Sequence, residues 1–169
     1  VDMGVALVSA DARVPNALVA EGVATGHLKQ FSDFPKVRRE VTFGDSRLDL
    51  MLEGLSGRYY IEAKSVTRVE NGVALFPDAP TARGAKHLST LETVIESGHR
   101  AAVIFVVQRP DASSFATSDL SDPVLAEALR SAVSKGVEAY AYNCLVTERS
   151  VHLDQSLPIR PYSEAFGND

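Results

Sequence analysis

Cysteine, positive charge and long apolar runs are all scarce in this chain, and each scarcity removes a class of function. Cys144 is the one cysteine in 169 residues, so no internal disulfide forms. The four histidines, His27, His87, His99 and His152, show no ligand spacing, which leaves no Cys/His zinc set. Nothing near Cys144 in the sequence serves as a nucleophile's base, and it reads as a core residue. The longest apolar run, Ala101 to Val107, falls far short of the roughly 20 residues that span a bilayer. No signal peptide, lipidation motif, internal repeat or low-complexity tract is visible, so a cytoplasmic protein without a membrane partner is expected. Gly54-Leu55-Ser56-Gly57 lacks the Lys-Ser/Thr of a nucleotide cradle. Ser65 follows Lys64 directly, and adjacent strand residues point to opposite faces, which argues against a Ser/Lys hydrolase dyad.

The formal net charge of −5 is unlike the basic footprint of a nucleic-acid-binding domain. Its distribution is uneven. Residues 1–35 carry two basic and four acidic groups, and residues 110–169 carry four basic and nine acidic. The stretch 36–109 carries eleven basic against nine acidic, and is the only net-positive one. Lys36, Arg38, Arg39, Arg47, Lys64, Arg68, Arg83 and Lys86 are the candidate phosphate contacts there. A solvated mixed-charge surface would present the same residues.

What is present is enough apolar material, 45% hydrophobic residues, to bury a single core without disulfide or metal staples. Pro15 to Gly22 reads as a helix with proline near its start and Glu21 upon it. Val37 to Phe43 reads as a strand whose Val37, Arg39, Val41 and Phe43 share one face. In Arg47 to Leu52 the alternation puts Leu48, Leu50 and Leu52 on one face and Asp49 on the other, with Arg47 and Met51. In Tyr59 to Val66, Glu62 and Lys64 share a face with Tyr60. The linker Glu53 to Arg58 contains Gly54, Ser56 and Gly57 and reads as a hairpin, which sets Asp49 near Glu62.

Further on, Val73 to Phe76 follows a turn at Asn71-Gly72. A helix opens at Thr81 and ends before Gly98, with Arg83 and His87 four apart on one face. Asp78 is a candidate cap or site residue. Ala101 to Val107 has the pattern of a strand buried on both faces, and Gln108-Arg109 should emerge on the site side of the sheet. Asp111 to Ser121 reads as a polar loop. Pro123 to Lys135 reads as a helix capped by Asp122 and stopped at Gly136. Val137 to Val146 and Val151 to Leu153 complete an α/β sheet covered by helices.

The chemistry concentrates on Asp49, Glu62 and Lys64. A hard cation such as Mg²⁺ takes oxygen ligands, one or two carboxylates with water and substrate phosphate completing the shell. Asp49 and Glu62 would supply that pair, and Lys64 would orient the water or offset charge developing on the phosphate. The competing reading is an exposed Glu/Lys pair on an edge strand beside an unrelated Asp. His87 either positions a water or a phosphate, or satisfies local polar groups.

Asp49, a spacer, then Glu62-Ala63-Lys64 on the next strand resembles the signature of the PD-(D/E)XK restriction-endonuclease-like superfamily. More specifically, Glu62-Ala63-Lys64-Ser65-Val66-Thr67, Gly72 to Thr81, Arg83-Gly84-Ala85-Lys86-His87-Leu88 and Phe105-Val106-Val107-Gln108-Arg109 resemble the sugar fermentation stimulation protein A family, from about Asn16 to Leu157. The resemblance implies a restriction-endonuclease-like α/β fold, a mixed sheet flanked by helices. It implies a DNA partner bound without sequence specificity, Mg²⁺ or Mn²⁺ at Asp49 and Glu62, and a regulatory link to maltose metabolism. Glu21 is the candidate for the first-helix glutamate that sometimes joins such a metal site, with a plain surface glutamate as the alternative, and Arg39, Arg47, Arg83, Lys86 and His87 would contact nucleic acid. The family carries an OB-like barrel before this domain, so residues 1–14 read as a remnant of that barrel, with Val5 to Val8 its last strand, or as a leading strand, 15–161 as the nuclease-like domain and 162–169 as a polar tail. Monomer and homodimer both stay open. So does a non-catalytic DNA-binding or protein-interaction module on the same fold.

Overall fold

The computed structural model describes residues 13–167, and the run Val5 to Val8 lies outside them. The chain begins with α1 (Val14–Ala24), where Pro15 occupies the first turn that its fixed φ suits. A 3₁₀ turn at Lys29–Phe31 leads into the meander β1 (Lys36–Phe43), β2 (Ser46–Gly54) and β3 (Gly57–Val66). Gly44 and Gly57, both at positive φ, make its tight connections. A hairpin of β4 (Arg68–Glu70) and β5 (Val73–Phe76) precedes α2 (Ala82–Glu96). Then come β6 (Arg100–Val107), β7 (Ser114–Thr117), α3 (Pro123–Ser134), β8 (Glu138–Val146), β9 (Val151–Leu157) and α4 (Tyr162–Phe166).

Six strands form the main sheet in the order β1-β2-β3-β6-β8-β9. The β1–β2 and β2–β3 pairs are antiparallel, β3, β6 and β8 run parallel, and β9 returns antiparallel. Ala101 to Val107 on the central β6 are all buried, as a strand with helices on both faces requires. On one face, Leu88, Leu91 and Val94 of α2 and Leu125, Leu129 and Ala132 of α3 pack against Val103, Phe105 and Val107. On the other, Leu18 and Val19 of α1 join Phe31, Phe34, Tyr59, Ile61, Ile104 and Cys144. Cys144 is therefore a core residue, and no helix among the described residues is long and apolar enough to cross a membrane.

Two segments differ from the sequence reading. Residues 111–121 are not all loop, because β7 forms within them and pairs parallel with β5 in a second sheet, β4-β5-β7. The Phe115 ring stacks on Phe105 at 4.3 Å between centroids, and that burial outweighs the polar residues around it. The segment read as a polar tail contains α4, whose Tyr162 and Phe166 pack against Val73, Leu75 and Ala116. Both long helices on the α2 face carry side-chain caps. Thr81 Oγ1 accepts from Gly84 N, and Asp122 accepts from Leu125 N at 2.9 Å and from Thr81 N at 2.8 Å. Asp122 thus ties the start of α2 to the start of α3, while Asp78 is exposed and caps neither.

Candidate active site

The site forms where β2 parts from β3. Their pairing runs from the turn to Leu50↔Ile61 and ends there, whereas β3 stays paired with β6 as far as Val66↔Val107. At the same level the side-chain alternation reverses. Val37, Leu50 and Leu52 pack into the α1-side core, whereas Val41, Phe43 and Leu48 pack into the α2-side core, with Met51. The shared faces expected for Val37 with Val41, and for Leu48 with Leu50 and Leu52, do not exist. Glu40, a non-glycine residue at φ +56, turns β1 over opposite Asp49.

Backbone groups left by the parted ladder are taken up by side chains. The Asp49 carboxylate (Oδ2) accepts from Ala63 N at 2.8 Å, and the Glu62 carboxylate (Oε2) accepts from Asp49 N at 3.3 Å. The other Glu62 oxygen, Oε1, takes Lys64 Nζ at 2.9 Å and His87 Nδ1 at 2.5 Å. Lys64 Nζ lies 3.2 Å from the same His87 nitrogen. A protonated Nδ1 donating to Glu62 is the tautomer this geometry requires. Asp49, Glu62 and Lys64 are therefore together, joined by His87 from α2.

Electrostatics separates the two carboxylates. Burial, then the neighbouring Glu62 charge, pushes the Asp49 carboxyl up to about 6 from its ordinary 3.8. Burial alone would also raise Glu62, but the His87 hydrogen bond and the Lys64 charge overcome it and hold Glu62 below the ordinary carboxylate value. Two desolvated carboxylates facing each other is an arrangement that a bound cation relieves. Among the described residues no three His, Cys, Asp or Glu side chains converge as a metal cage. The pair suits a hard cation that keeps water and phosphate in its remaining positions.

The remaining candidates divide. Glu21 is not brought to the site: it lies five residues beyond Asn16 on α1 and lines a separate small cleft with His27 and His152. The α1 residue at Asp49 is Asn16, whose Nδ2 donates to Asp49 Oδ1 at 3.2 Å. Arg39 reaches the same amide, its Nε donating to Asn16 Oδ1 at 3.2 Å. Arg47 is exposed and paired with Glu40, and Lys86 with Asp45. Arg83 is exposed one turn before His87. His87 is buried and bound to Glu62, so it faces the carboxylate and not bulk solvent. Gln108 and Arg109 do not emerge; both are buried, with Arg109 held by Asp111 and the Thr67 carbonyl. Asn16 was missed because the pattern sought carboxylates and cations, although Pro15-Asn16 at a helix start was visible.

The chain resembles known proteins over most of its length. A family model described as "SfsA: Sugar fermentation stimulation protein RE domain" matches residues 13–150. A sugar fermentation stimulation protein homolog of Desulforamulus reducens is 44% identical over 154 residues, covering 91% of this chain and 64% of the relative. One from Geobacter sulfurreducens is 48% identical over 147 residues, covering 86% and 63%. The chain thus spans a little under two thirds of these relatives' length. Among solved structures, Pyrococcus furiosus SfsA in complex with Ca²⁺ superposes with a TM-score of 0.82 at 28% identity, covering 88% of this chain and 64% of that one.

Proposed function

The chain belongs to the sugar fermentation stimulation protein family, and on that premise we propose that it is a DNA-binding protein with a divalent-metal site that hydrolyses phosphodiesters. The observation that carries this reading is the meeting of Asp49, Glu62 and Lys64 where β2 parts from β3. The Ca²⁺ complex of the Pyrococcus furiosus relative supports a hard-cation site, and Mg²⁺ or Mn²⁺ is the cofactor proposed here.

When bound, the cation polarises a phosphate oxygen and acidifies a coordinated water. The protein's residues do the rest. Asp49 and Glu62 supply carboxylate oxygens, and His87 fixes the plane of Glu62. Lys64 Nζ, 2.9 Å from Glu62, places positive charge where a phosphate gains negative charge, and orients the attacking water. Arg39, Arg47, Arg83 and Lys86, all exposed, hold backbone phosphates, which carry no sequence information. On this reading the regulation of sugar metabolism named in the family works through nucleic acid.

A second reading, a binding module without hydrolysis, is favoured by the net charge of −5, which weakens the grip on a polyanion. The deciding experiment offers single- and double-stranded oligonucleotides with Mg²⁺ or Mn²⁺ to the wild type, Glu62→Gln and Lys64→Met. Cleavage by the wild type alone supports hydrolysis. Binding without cleavage supports the module.

A further inference from the structure

Asn16 stands in the first turn of α1 with its amide between two charged groups. Its Nδ2 donates to Asp49 Oδ1 and its Oδ1 accepts from Arg39 Nε, both at 3.2 Å. The chemistry fixes the orientation of that amide, because a guanidinium only donates and an ionised carboxylate only accepts. Asparagine serves both partners at once. An aspartate at this position would repel Asp49, and an alanine would serve neither.

The consequence for Asp49 is a carboxylate gripped at both oxygens by different elements. Oδ1 is held from α1, and Oδ2 is held by Ala63 N of β3 at 2.8 Å. Such a grip fixes the plane of the group, and metal-binding carboxylates are oriented by hydrogen bonds of this kind. Arg39 adds a link to the surface. It lies exposed on the edge strand β1, and among the described residues it has no carboxylate ion pair, unlike Arg47 with Glu40 and Arg58 with Glu53.

We propose that Asn16 is a positioning residue for Asp49 and that Arg39 acts on the site through it; this rests on the reading of Asp49 and Glu62 as a metal pair. A backbone phosphate taken up by the Arg39 guanidinium stands three hydrogen bonds from the Asp49 carboxylate, its own to Arg39 and the two through Asn16. Engagement of the polynucleotide and orientation of the metal-binding group are coupled through one amide.

The test is calorimetric titration with Mn²⁺ alone on the wild type, Asn16→Ala, Arg39→Ala and the double variant, with thermal melts of each. Asn16→Ala is expected to weaken Mn²⁺ about tenfold at an unchanged melting temperature. Arg39→Ala is expected to weaken it less, and the double variant no more than Asn16→Ala, since coupled residues are not additive. Asn16→Leu, of similar size with neither donor nor acceptor, should show the same loss as alanine. Unchanged affinity in Asn16→Ala overturns the proposal, as do additive losses. No Mn²⁺ binding by the wild type overturns the metal-site reading itself, and this proposal with it.

Discussion

The carboxylates of Asp49 and Glu62 are cross-locked: Glu62 accepts the Asp49 backbone N–H at 3.3 Å, and Asp49 accepts the N–H of Ala63, next to Glu62, at 2.8 Å. Each carboxylate replaces a ladder bond where β2 and β3 separate. The acids thus serve the fold at the point where they are presented for chemistry.

Asp49 should oppose stability in the metal-free protein. Its pKa is raised to about 6 from 3.8, so its stabilising contribution is complete below the unfolded value and is lost as pH rises through about 6. Asp49→Asn is expected to raise the melting temperature of the metal-free chain by a few degrees near pH 7.5, on the order of 1–3 kcal/mol. The gain should shrink near pH 5. Calorimetric melts at both pH values check this, and an equal gain at both would remove the electrostatic explanation. Protons and cation compete for the same oxygens, so Mn²⁺ affinity should fall as pH drops through about 6.

His87 and Arg83 share a helix face but should separate in experiment. His87→Ala removes the 2.5 Å bond to Glu62, so Glu62 should titrate higher and Mn²⁺ affinity fall about tenfold. Arg83→Ala, at an exposed position, should leave Mn²⁺ affinity alone and weaken oligonucleotide binding. Reversed effects would place His87 on the phosphate and Arg83 at the metal pair.

Much of this site was legible because it is built from local pattern. Alternation and the Gly54/Gly57 turn brought β2 against β3, and Glu62 and Lys64 lie two apart on one face. The reversal at Glu40 was not legible, since a glutamate at φ +56 leaves no mark in the sequence and overturns the period-two rule on both sides of it. β7 was hidden because Ser114-Phe115-Ala116-Thr117 is short and lies within the polar run 111–121, and what makes it a strand is non-local: parallel pairing with β5 and stacking of Phe115 on Phe105. Glu21 was named because the family resemblance supplies a first-helix glutamate, whereas the α1 residue that contacts Asp49 is Asn16.

Lys64 should matter to turnover and not to metal. Lys64→Met is expected to retain Mn²⁺ binding while lowering the rate of phosphodiester cleavage by roughly 10²–10³-fold, the usual cost of removing one transition-state charge partner. Single-turnover cleavage measured beside calorimetry separates the two. Loss of metal binding in this variant would give Lys64 a structural role through Glu62.

Asp122 should act as a clasp between helices. Its carboxylate caps α3 at Leu125 and holds Thr81, the cap of α2. Asp122→Ala leaves those N–H groups unmet and is expected to cost about 1–3 kcal/mol in denaturant unfolding. A loss below a few tenths would show the caps to be redundant.

The most direct measurement of the central claim is a calorimetric Mn²⁺ titration of the wild type and of Asp49→Ala, run near pH 7.5 without nucleic acid. Saturable binding by the wild type that is lost in Asp49→Ala, with both proteins folded, is the predicted result. No binding by the wild type, or equal binding by the two, would contradict a metal site at Asp49 and Glu62.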